Sequence, residues 1–172
     1  MPVKLFFKVI KALNFNATPK QIGLGFAFGA FLGLIPGFNL CHILILFSAY
    51  LFNVNIAFFF VGAIVYKLFL PVFINITEPI GYFLLVDLAI LRPLWTFLYN
   101  LPIFPWTKFY NTAVLGGIVL AKILFIFNVI IATKFIVFYR NKLQKKIMAI
   151  PFIKVLKHTS LVKWFLRVKG TL

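Results

Sequence analysis

The chain has 172 residues, of which 63% are hydrophobic, 19% aromatic and only 12% charged, and its formal charge is +16. Soluble domains carry about a quarter charged residues, so the deficit excludes an ordinary aqueous domain and points to lipid as the solvent. The distribution of charge argues against a nucleic-acid binder: thirteen of the eighteen Lys and Arg lie at the two ends, both free of acids, as in membrane-flanking segments that face anionic head groups.

A chain of this length forms one domain, taken as 1–172. Cys41 is its only cysteine, so neither an intrachain disulfide nor a cysteine metal cluster is available, and no metal or cofactor is expected. Residues 1–13 place Lys4, Lys8 and Lys11 on one helical face and Leu5, Val9, Ile10 and Leu13 opposite. That pattern predicts a basic amphipathic helix lying on the cytoplasmic surface. The same lysines interrupt any signal-peptide core. Thr18-Pro19 then predicts a helix start, with Thr as N-cap and Pro in the first turn.

Between Lys20 and Lys67 run 46 residues without a charge, and Gly25, Gly29, Gly33 and Gly37 fall at every fourth position. The run breaks at Ile35-Pro36-Gly37-Phe38-Asn39, giving helical arms over 19–35 and 38–52. Pro36 ends the first arm and Gly37 makes the turn. Gly25, Gly29 and Gly33 are left as a bare stripe where another backbone approaches closely. A membrane span needs about 20 apolar residues, so both arms are short. Two pictures fit: thin crossings joined outside at Pro36-Gly37, or a re-entrant hairpin covered by other protein.

A third helix is predicted over 54–74, with Lys67 near enough to its end to snorkel. Residues 75–110 carry four prolines and five Trp or Tyr, which predicts short segments at a non-cytoplasmic interface. This stretch holds the only acids, Glu78 and Asp87, balanced by Arg92 and Lys108. Residues 111–139 form the last long helix, containing Lys122 and Lys134. Residues 140–172 form a basic interfacial tail. The expected fold is therefore an all-α integral membrane protein of about four membrane-inserted helices. It has a glycine-rich, re-entrant or thinly crossing hairpin near its start and amphipathic helices at both ends. Two basic ends on one side require an even number of crossings: four, or two plus a re-entrant hairpin.

Chemistry-bearing residues are few. Cys41 and His42 are adjacent on a helix and point about 100° apart, which does not make a dyad. Glu78 and Asp87 lack a third polar group for acid–base work, so an interfacial ion pair with Arg92 or Lys108 is the simpler reading. Lys67, Lys122 and Lys134 are expected to meet lipid phosphates. Lys122 lies deepest, and Glu78 or Asp87 are its available counter-charges. The sequence contains no P-loop, dinucleotide fingerprint or nucleophile elbow. No catalytic residues are expected, and the chain is read as a non-enzyme.

The stretch Thr18-Pro19-Lys20-Gln21-Ile22-Gly23-Leu24-Gly25, continued by Gly29, Gly33 and Leu34-Ile35-Pro36-Gly37-Phe38-Asn39, resembles a family of small bacterial inner-membrane proteins catalogued only as a domain of unknown function. Asn53-Val54-Asn55, Leu98-Tyr99-Asn100 and Asn111-Thr112 ahead of Gly116 extend the resemblance over roughly residues 10–140. Related domains can be joined to envelope glycosyltransferases, and some stand-alone members are encoded beside a large envelope protein. The resemblance implies a bacterial cytoplasmic membrane, multi-pass and with both termini cytoplasmic, and work on the envelope. It implies no catalytic residues.

The expected function is a non-enzymatic membrane component of envelope or lipid handling, a platform for a partner protein or lipid. Its expected partners are anionic membrane lipids, a large envelope protein or further copies of itself, and not nucleic acid. The alternative is a small oligomeric channel or transporter that uses the broken helix at Pro36-Gly37.

Overall fold

A computed structural model describes residues 17–143. The basic helix expected over 1–13 and the tail beyond residue 143 lie outside the described residues. Every regular element described is helical: α1 Pro19–Leu34, α2 Leu40–Leu51, α3 Ile56–Leu68, α4 Leu70–Tyr82, α5 Arg92–Tyr99 and α6 Thr112–Phe138. A π-helical turn, Phe83–Asp87, extends α4, and a second, Tyr139–Leu143, extends α6. Two helices are long and apolar enough to cross a membrane, Leu70–Asp87 and Thr112–Lys142. Helices α2 and α3 are apolar but shorter.

The chain divides into two compact units, Met1–Lys134 and Phe135–Leu172. The described part of the second holds the end of α6 and its π-helical turn, where the Lys142 ammonium lies 5.5 Å over the Phe138 ring. The rest of the architecture concerns the first unit.

Helix α1 starts where its sequence says it should. The Thr18 hydroxyl accepts from the Gln21 amide, and the Gln21 side chain accepts in return from the Thr18 amide, a reciprocal cap before Pro19. Its C-cap, Ile35, is extended with φ −86° and ψ 120°, as expected of a residue ahead of proline. Gly37 adopts φ 65° with nothing near its missing side chain, so it serves the turn and not the packing.

The glycine stripe lies on α3, not on the neighbouring arm α2. A Cβ at Gly25 would meet the Asn55 carbonyl oxygen at 2.5 Å, and one at Gly29 would run into the Phe59 carbonyl and the Ala63 amide. One at Gly33 would meet the Ala63 carbonyl oxygen at 2.7 Å. Gly62 answers from α3 by facing the Phe26 carbonyl. The rising order of these pairs makes α1 and α3 parallel, with α2 the return arm between them. Most of α2 is on the outside, with Ile43, Leu44, Phe47 and Leu51 exposed.

Helix α6 closes the other side of α1 in the opposite direction. Gly23 abuts Thr133 and Val129, while Gly117 faces the Leu34 carbonyl. Phe125 contributes ring contacts to Phe28 and Phe31, with centroids 5.3 and 6.0 Å away. Helix α1 is thus the core of this unit, and its Ile22, Ala27, Ala30 and Leu34 are completely buried.

The expected third helix of 54–74 is two helices. The backbone turns at Phe69 (φ −90°, ψ 2°) and restarts as α4. Pro71 explains the break, since it has no N–H to continue the ladder and its ring crowds the carbonyl four residues back, at Lys67. In consequence α4 runs through residue 75 to Tyr82, with Pro79 inside it, and Asn75 is mid-helix instead of at an end. Gly81 abuts Thr112 and Gly116 abuts Thr77, so α4 crosses the start of α6 antiparallel through a second glycine contact. Residues 88–111 fold into short turns and α5, around Phe109, whose ring contacts Trp95, Phe104 and Tyr110.

Candidate functional site at the helix break

The break between α1 and α2 gathers the described polar groups most densely. Asn39 is the N-cap of α2. Its Oδ1 accepts from the Cys41 amide at 3.0 Å and meets His42 Nδ1 at 3.1 Å, which requires that nitrogen to carry a proton. The Asn39 Nδ2 is buried and has no hydrogen-bond partner. Lys67 reaches over from α3, and its ammonium donates to the Ile35 carbonyl at 2.9 Å. This places a cation on the open carbonyl end of α1, where a helix dipole favours positive charge. The Cys41 thiol points elsewhere and donates to the Thr107 carbonyl at 3.5 Å. Ile35, Cys41 and Val114 form the apolar floor beneath.

This cluster is rich in donors and has no carboxylate; the charged group close enough to act on His42 is Lys67. Among the described residues, no group of three or more His, Cys, Asp or Glu side chains is placed to hold a metal. What the site can do is offer hydrogen bonds and positive charge to an acceptor. Replacing Lys67 with Met removes the donor on Ile35 and is expected to cost about 1 kcal/mol of stability. Lys67→Arg should retain most of it; thermal unfolding in detergent compares the two.

A second polar contact lies inside the packed helices. The Tyr66 hydroxyl of α3 donates to Asn128 Oδ1 of α6 at 2.7 Å, and Asn128 Nδ2 is buried without a partner. Beside it an open apolar groove of about 290 Å³ is lined by Phe26, Val65, Tyr66, Phe69, Val72 and Phe73.

The other charged residues singled out in the sequence are not brought into the cluster. Lys122 and Lys134 stand exposed on α6, Glu78 on α4 and Asp87 at the end of the π-helical turn. Arg92 begins α5 and its guanidinium donates to the Val86 carbonyl at 3.4 Å. Asn128 carries an interhelical contact that stands outside the residues singled out in the sequence. A lone amide in the apolar run from Ile123 to Thr133 was its signal, because burying an amide asks for a hydrogen-bond partner.

The family described as an uncharacterized protein conserved in bacteria (DUF2062) matches residues 5–145. The chain belongs to this family. The matched segment contains the glycine stripe, the break with Asn39 and His42, and Lys67. The chain is also similar to an uncharacterized protein of Treponema pallidum (strain Nichols), 22% identical over 161 residues that cover 94% of this chain and 99% of that protein. No solved structure matches it.

Proposed function

We propose that the protein is a non-enzymatic, multi-pass component of the bacterial cytoplasmic membrane that serves envelope or lipid handling as a platform for lipid or a partner protein. The observation that carries this reading is the inversion of its surface. The centre closes on backbone contacts, while the outward faces of α2, α4 and α6 are large apolar side chains, among them Phe47, Val72, Phe83, Ile126 and Phe127. Water would not tolerate such a surface, and a bilayer requires it.

The register on α6 supports four crossings. From Thr112 to Lys134 the helix measures about 33 Å, close to the hydrocarbon thickness. Helix α1 runs beside it from Thr133 to Gly117, which favours a break at Pro36-Gly37 near the far boundary over one at the midplane. In this reading α1, α2 and α3 are thin crossings and α6 is the fourth, while α4, which docks through Thr77 and Gly81 on the first turns of α6, stays on the far side without crossing, so that the basic ends share the cytoplasmic side. The donor cluster at the break lies at head-group depth, and the apolar groove offers room for an acyl chain.

The test is native mass spectrometry of the protein released from membranes, followed by exchange into nanodiscs of defined composition. Retention of a phosphate-bearing lipid, lost in a Lys67→Met, His42→Ala variant, is the expected result. A lipid-free protein with no co-purifying partner overturns the reading.

A further inference from the structure

Lys122 is exposed on α6, beside the exposed Ile123 and one turn from the exposed Ile126. It lies about 15 Å from Thr112 and about 18 Å from Lys134 along the axis. A lysine at that depth cannot bring its ammonium fully to either boundary, and an ionised group facing lipid there is costly and tends to find a counter-charge.

The chain has two carboxylates, Glu78 and Asp87. Asp87 ends the second long helix, but Glu78 lies midway along it and is exposed. The contacts of Thr77 with Gly116 and Gly81 with Thr112 fix its register against α6. Glu78 therefore stands about 10 Å along the axis from Lys122. Side chains tilt toward the N-terminus of their own helix. Because α4 and α6 are antiparallel at this crossing, the two tilts close that gap.

Within one chain the pair is misplaced around the axis. Lys122 is six residues beyond Gly116, about 240° around α6 from the face that meets α4. A second copy related by a two-fold axis parallel to α6 preserves depth and solves the rotation. Lys122 of each copy then meets Glu78 of the other, and one self-complementary surface satisfies both charges twice.

We infer that the protein is a homodimer in the membrane, closed across the exposed faces of α4 and α6 by two reciprocal Lys122–Glu78 ion pairs. This rests on the membrane reading above. Recovery of the wild-type chain in the membrane fraction checks that reading separately from the dimer.

The experiment co-expresses two differently tagged copies of the full chain and measures capture of one by the other in liposomes. Lys122→Glu or Glu78→Lys alone is expected to reduce capture at least about tenfold, and the doubly reversed variant to restore it. Lys122→Met, which makes the helix more apolar and should not impair folding, is expected to lose capture while keeping its melting temperature. A monomeric wild type, single reversals that capture normally, a double reversal as weak as the single ones, or normal capture by Lys122→Met would each overturn the dimer.

Discussion

Gly29→Leu is expected to prevent the protein from folding, or to lower its melting temperature in detergent by more than about 10 °C. The position is the middle of the stripe by which α1 lies on α3. A Cβ there already collides with the Phe59 carbonyl and comes within 2.7 Å of the Ala63 amide. Both obstacles are backbone, so neither can swing aside as a side-chain tip would. Accommodating even the first carbon means prising two parallel helices apart along their whole contact, and α1 carries α6 on its other side. Overpacking a core costs about 1–3 kcal/mol when side chains can adjust. When backbone must move, a loss above about 4 kcal/mol is expected, and for a chain of this size that is about 10 °C or more. Gly37→Ala is the control. Nothing lies within 4 Å of its missing Cβ, so its cost is only that of a positive φ, about 1–2 kcal/mol. Comparable melting temperatures for the two variants would refute the packing role of the stripe.

The contrast between these glycines also marks how far the sequence could be read. The spacing of Gly25, Gly29 and Gly33 displays a bare helix face, and Pro36 shows where that helix must end. Thr18-Pro19 and Gln21 carry the start in their own side-chain chemistry. A stripe does not say what covers it, however. The next arm in sequence, α2, is the exposed return, and the parallel α3 takes the stripe. Parallel packing of α1 and α3 is a property of three helices together and leaves no mark at any single position. The break at Phe69 did leave one, in Pro71, but the continuous apolar texture around it hid the local signal. Gly81 and Gly116 sit 35 positions apart on different helices, and no periodicity links them. The candidate site was legible by halves for the same reason. Asn39 and His42 stand out at the break, whereas the arrival of Lys67 on the Ile35 carbonyl depends on the α1–α3 register.

That second crossing yields the other large effect. Gly116→Leu is expected to detach α4 from α6 while leaving α1, α3 and the remainder of α6 in contact. A Cβ at Gly116 would strike the Thr77 carbonyl and approach the Gly81 amide at 3.0 Å. Gly81 is equally close to Thr112, so the helices have no slack into which either could retreat. Unlike α1, however, α4 is peripheral, with Val72, Ile76, Tyr82 and Phe83 exposed. Losing its dock should therefore open one edge of the protein instead of unfolding the whole. Thr77 reports this directly, because it is completely buried. In a Cys41→Ala background, Thr77→Cys should resist a maleimide reagent in the parent protein and react at least about tenfold faster once Gly116→Leu is added, the level expected when a buried site opens locally. The dimer contact through Glu78 should weaken with it, since the register of that carboxylate depends on the same glycines. Gly117, one residue on, faces the Leu34 carbonyl at 2.6 Å and not α4. Gly117→Leu should consequently perturb the helix break and leave Thr77 protected. If both substitutions expose Thr77 equally, α4 is not held by the Gly81–Gly116 crossing.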